Sequence, residues 1–104
     1  MATSRALPAV PATVPSLLGP IAVRLVDGSP DPKDADCLGL WEPAPRTITL
    51  RRDVAPEVLW QTLWHERMHA ILWHAGIRPS RQKEEEVCDA VGIAMTAAML
   101  DGAD

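Results

Sequence analysis

Eight of the ten prolines in this 104-residue chain lie before residue 46. Each one removes a backbone donor and blocks a continuing helix. The first half is therefore restricted to strands, turns and extended segments. Only the stretches on either side of Pro79, beyond Pro56, are long enough for helices. Residues 1–19, MATSRALPAVPATVPSLLG, carry Pro8, Pro11 and Pro15 among Ala, Thr, Val and Ser. This pattern predicts a disordered or extended arm and leaves residues 20–104 as the folded domain. A signal peptide is not expected, because prolines break the apolar stretch and only Arg5 charges its start.

Residues 21–26, IAVRLV, read as a strand rich in β-branched side chains. Residues 27–36, DGSPDPKDAD, are a loop dense in turn formers. Their four aspartates lack the ligand order and closing glutamate of a calcium-binding hand. CLGLW (37–41) and RTITLR (46–51) alternate apolar residues at period two around the short segment EPAP, which predicts a hairpin.

A long helix should follow, with Asp53 as its cap and Pro56 and Glu57 in its first turn. Gly76 stands where a left-handed stop is needed, just before Pro79, so this helix ends near Ala75. Ser80 caps a second helix that reaches about Leu100. So short a linker packs the two helices against each other as a hairpin. The expected fold is α+β: a small antiparallel sheet or hairpin beside two long helices.

Hydrophobic residues make up 47% of the chain, enough for one modest core, and the net charge is −4. Neither a nucleic-acid partner nor a membrane surface is indicated by that balance. No apolar run approaches the roughly 18–20 residues of a membrane span. Cys37 and Cys88 form no CxxC pair, so a reduced, cytoplasmic setting is the default. The chain has no tyrosine, so no phenol is available as an acid or an oxyanion donor.

The first helix carries His65-Glu66-Arg67-Met68-His69, an HExxH sequence. Residues four apart on a helix lie one turn apart on the same face, so both imidazoles can point at one metal ion. Glu66 falls about 100° round from His65, beside the ion, where it can hold and deprotonate a metal-bound water. Neutral nitrogen ligands with an open position suit zinc. The motif is set among Val58, Leu59, Leu63, Ala70, Ile71 and Leu72, and polar groups in such a setting must find partners. His74 lies about 140° round from His69 and should face elsewhere. Trp60, Trp64 and Trp73 read as packing residues, and both cysteines as small hydrophobes.

A third ligand must come from the second helix, which offers Glu84, Glu85, Glu86 and Asp89. Glu85 shares a helical face with Asp89, Gly92 and Thr96, while Glu86 shares one with Ala90, Ile93 and Ala97. Both faces look buried, and phase alone does not choose between them.

Residues 62–92, TLWHERMHAILWHAGIRPSRQKEEEVCDAVG, resemble the active-site core of gluzincin-type zinc metallopeptidases. Within that group the segment is most similar to the small ImmA/IrrE-like and phage-encoded enzymes. The resemblance covers about residues 37–100 and implies a minimal zincin fold. It implies His65 and His69 as zinc ligands and Glu66 as catalytic base. Glu85 and Asp89 match the ExxxD pattern, in which the glutamate binds zinc and the aspartate orients the first histidine. The implied activity is hydrolysis of a peptide or protein substrate. The chain departs from the group in lacking the usual Tyr or His that stabilises the oxyanion. Arg67, Arg78, Arg81 or a backbone N–H stand as replacements, or the donor is missing. The rival expectation is a non-catalytic, zinc-stabilised binding or assembly module.

Overall fold

The computed structural model describes residues 7–102. It contains, in chain order, β1 (Thr13–Val14), β2 (Ile21–Val26), β3 (Gly39–Glu42), β4 (Thr47–Arg51), α1 (Pro56–Ala75) and α2 (Arg81–Gly102). The fold is α+β. The four strands form one sheet in the order β1-β2-β4-β3.

The sheet is mixed where an antiparallel one was expected. The β3–β4 hairpin is antiparallel, with Trp41 opposite Ile48 and Leu40 opposite Thr49. β2 lies parallel to β4, pairing Val23 with Ile48 and Leu25 with Leu50. A parallel pair needs a long crossover, and residues 27–46 supply one without a helix, as loop plus β3. β4 is hydrogen-bonded on both edges, and Thr47, Ile48, Thr49 and Leu50 are all buried. β1 and β3 are the two edge strands of the sheet.

The expectation of a disordered arm does not hold for residues 7–19. Thr13 and Val14 pair with Ala22 and Ile21, and Val14 is buried in the core. The carbonyl of Pro8 accepts a 2.7 Å hydrogen bond from the Trp60 indole. Arg46 ties down the end of the segment, donating to the Gly19 carbonyl at 2.8 Å and to Ser16 Oγ at 3.2 Å. The prolines keep the segment extended, yet extended chain can still pair at a sheet edge. The part of the expected arm formed by residues 1–6 lies outside the described residues.

The core joins Val14, Ile21, Ile48 and Leu50 of the sheet to Trp60, Leu63 and Ala70 of α1. The opposite side of α1 carries α2, where Trp64 Nε1 donates to Met99 Sδ at 3.2 Å. α1 is thus covered on two sides, so its buried residues run round the helix rather than along one stripe.

Asp53 does not cap α1. Its carboxylate forms a two-pronged pair with Arg51 at 2.8 and 3.1 Å, and Ala55 stands at the cap with Pro56 in the first turn. The other end follows the sequence: Gly76 is left-handed (φ 73°), and Ile77 N–H returns to the Leu72 carbonyl at 3.0 Å. Ser80 Oγ then accepts from Lys83 N–H at the start of α2. The helices approach closely at Gly92, where a Cβ would lie 2.7 Å from the Gln61 carbonyl oxygen.

Candidate metal centre

One face of α1 puts His65 and His69 on successive turns, and their Nε2 atoms stand 3.2 Å apart. The Glu85 carboxylate of α2 spans both. Oε1 is 2.9 Å from His69 Nε2, and Oε2 is 3.3 Å from His65 Nε2. Two imidazoles and a carboxylate therefore converge on one point from two helices. A tetrahedral ion with bonds of about 2.0–2.1 Å separates its ligand atoms by about 3.3–3.4 Å, so this donor set fits zinc.

The outward nitrogens of both rings are held as well. His65 Nδ1 lies 2.8 Å from Asp89 Oδ1, and His69 Nδ1 lies 2.5 Å from Glu84 Oε2. Each imidazole thus has a carboxylate acceptor for its Nδ1–H, which leaves the Nε2 lone pair facing the shared point and makes it a better donor. The structure brings His65, His69, Glu85 and Asp89 together. Glu84 adds a contact that sequence reasoning did not assign. No spacing in the sequence singles Glu84 out, because its contact with His69 depends on how α2 crosses α1.

Glu86 stands apart from this group. It is exposed and pairs with Lys83 at 3.1 Å. The face it shares with Ala90, Ile93 and Ala97 is exposed, not buried, because α2 packs through Cys88, Gly92 and Thr96. His74 is also outside the group, with its ring edge-on to Trp41 at 5.8 Å.

Glu66 is 7% exposed, beneath β3. Gly39 allows this: a Cβ there would lie 2.5 Å from Thr62 Cγ2 and 3.2 Å from Glu66 Cγ. Glu66 Oε2 stands 3.7 Å from His65 Nε2, beside the histidines. Burial, reinforced by the Glu85 carboxylate, holds its carboxyl above the usual carboxylate range against the opposing pull of the two imidazoles and the Trp41 backbone N–H.

A cleft of about 800 Å³ opens over these groups. β3 and the loop before it form one wall, and α1 and α2 form the other. Cys37 reaches this wall, its thiol donating to the Gly39 carbonyl at 3.1 Å, whereas Cys88 is fully buried. Trp60 packs in the core as expected. Trp73 does not: it is 48% exposed and lines the cleft.

Of the three arginines considered as oxyanion donors, two are committed elsewhere. Arg67 lies over the Trp64 ring and donates to the Pro15 carbonyl. Arg78 covers the Trp73 ring and donates to carbonyls at the end of α1. Arg81 lines the cleft. No described helix is long and apolar enough to cross a membrane. Comparison with protein-family models, curated proteins and solved structures finds no match.

Proposed function

We propose that this chain is a zinc-dependent peptidase, of the kind its HExxH segment resembles. The observation that carries the reading is the convergence of His65 Nε2, His69 Nε2 and Glu85, with Glu66 buried beside them and open to a cleft. In this reading His65, His69 and Glu85 hold the metal, and Asp89 and Glu84 fix the two imidazole rings through Nδ1. Bound there, zinc supplies Lewis acidity, polarising a carbonyl and acidifying water.

The proton work falls to Glu66. Its Oε2 takes a proton from the attacking water and delivers it to the leaving amine, so one carboxylate serves as base and then as acid. The substrate is a peptide or protein segment. The free edge of β3 offers backbone N–H and C=O groups along the cleft, and an extended peptide can pair with them by strand addition.

Glu66→Gln tests the proposal. Glutamine keeps the shape but cannot accept the proton. The variant should keep its zinc and its melting temperature while kcat on a protein substrate falls by about 10²–10⁴-fold. Unchanged kcat would remove Glu66 from the mechanism.

The rival reading, a zinc-stapled module without catalysis, draws on a different observation. The metal-holding group ties α2 to α1, and beyond it only Cys88, Gly92 and Thr96 of α2 are fully buried among the described residues. In that case zinc removal unfolds the chain, and no peptide substrate is turned over.

A further inference from the structure

The cleft is electrically lopsided. Asp34, Asp36, Glu84, Glu85 and Asp89 line it, and Arg81 is its one cationic residue other than histidine among the described residues. No ion pair or hydrogen bond claims the Arg81 side chain among the described residues. Trp73 lines the same cleft and exposes about half its surface.

Their positions on the helical hairpin put these two residues at the same end. Trp73 is four residues beyond His69 on α1, and Arg81 is four residues before Glu85 on α2. α1 runs toward the connecting segment 76–80 and α2 runs away from it. Each residue therefore sits one turn closer to that segment than the neighbouring ligand on its own helix, and on the same face. One turn of four residues is about 6 Å along the axis, close to two residues of extended peptide.

From this juxtaposition we infer that Trp73 and Arg81 form a subsite for the end of a peptide. The part of the indole that Arg78 leaves exposed takes an apolar C-terminal side chain, and the Arg81 guanidinium takes the free α-carboxylate. The inference rests on the reading of the cleft as a peptidase site and narrows its substrates to chains that end one or two residues past the scissile bond. The acidic remainder of the cleft supports it, because Asp34, Asp36, Glu84, Glu85 and Asp89 disfavour a carboxylate beside them, whereas Arg81 favours one; the Arg78 guanidinium over the Trp73 ring is already bonded to carbonyls at the end of α1. Arg81 acts here on specificity. It leaves the proton transfer to Glu66.

The test uses the full chain, metal-free and zinc-loaded, with N-acetyl-L-phenylalanine and its C-terminal amide as probes. Binding is followed through the Trp73 indole N–H signal by NMR. The acid should bind about tenfold more tightly than the amide or better, as a charge-assisted pair to Arg does. Arg81→Gln should abolish the difference, Arg81→Lys should keep part of it, and Arg67→Gln should keep all of it. Equal binding of acid and amide by the unaltered chain would overturn the inference, and so would a preference that survives Arg81→Gln. If Arg81→Gln fails to fold, the acid–amide comparison on the unaltered chain still decides. The metal-free arm separates this inference from the peptidase reading. A chain that prefers the acid but neither holds zinc nor cleaves peptides keeps the subsite and loses the peptidase. A chain that cleaves internal bonds with no such preference does the reverse.

Discussion

His65 Nδ1 and Asp89 Oδ1 are 2.8 Å apart, one on each helix of the hairpin. That contact fixes the ring of His65 so that its Nε2 faces the Nε2 of His69. Glu84 does the same for His69 from the preceding turn of α2. The candidate metal centre is thus framed by three carboxylates on α2, the outer two against the Nδ1 atoms of the histidines and the central one facing the two Nε2 atoms.

Removing an outer carboxylate should therefore weaken metal binding without dismantling the fold. Asp89→Asn and Glu84→Gln are each expected to lower zinc affinity by about 10–100-fold. Glu86→Gln should leave it unchanged, since Glu86 pairs only with exposed neighbours. Competition titration against a zinc-binding dye measures all three. A larger loss for Glu86→Gln than for Asp89→Asn would contradict the arrangement.

Gly92 controls the helix spacing on which the centre depends. In Gly92→Ala the new Cβ meets backbone, the Gln61 carbonyl oxygen at 2.7 Å, which cannot swing aside. The expected cost is about 1–3 kcal/mol, with reduced zinc affinity as Glu85 is pushed away from the histidines. Thermal unfolding with and without zinc checks both effects. A variant as stable as the parent would show that the helices are not so tightly apposed.

Deletion of residues 1–19 should lower stability, because Val14 and the Pro8 carbonyl belong to the packed domain. Val14→Ala alone is expected to cost about 2 kcal/mol from the two methylene-equivalents removed. Chemical denaturation followed by intrinsic tryptophan fluorescence measures both losses. An unchanged midpoint for the deletion would return the segment to a free arm.

The two thiols should differ in reactivity. Cys88 is 0% exposed, and burial, reinforced by nearby carboxylates, pushes its thiol up to about 12. Cys37 is also raised, by burial first, but reaches the cleft. At pH 8 a thiol reagent should modify Cys37 slowly and Cys88 only on unfolding. The native chain holds the Cys88 proton more tightly than the unfolded chain, whose thiol has the ordinary value of 9.0. Its contribution to stability is therefore complete below about pH 9 and declines as pH rises toward 12. Rapid alkylation of Cys88 in the folded protein would contradict its burial.

Both helices were legible in the sequence, because Gly76, Pro79 and Ser80 act through local backbone chemistry. The hairpin was legible for the same reason. The parallel pairing of β2 with β4 was not, since nothing in residues 27–46 looks like the helix that usually makes such a crossover. β1 was hidden because Thr13 and Val14 gain their pairing from β2, not from any propensity of a proline-rich segment. Asp53 was misread as a cap because Arg51, two residues away, competes for its carboxylate. The HExxH pair was legible from spacing alone. Glu84 was not, because its role depends on the helix crossing that Gly92 permits.

Zinc content of the purified full-length chain, measured alongside His65→Ala, His69→Ala and Glu85→Ala, tests the central claim most directly. The account predicts about one equivalent in the parent and its loss, with a lower melting temperature, in each histidine variant. It predicts a marked drop for Glu85→Ala. A parent that folds cooperatively and takes up no zinc would contradict the account, as would a histidine variant that retains a full equivalent.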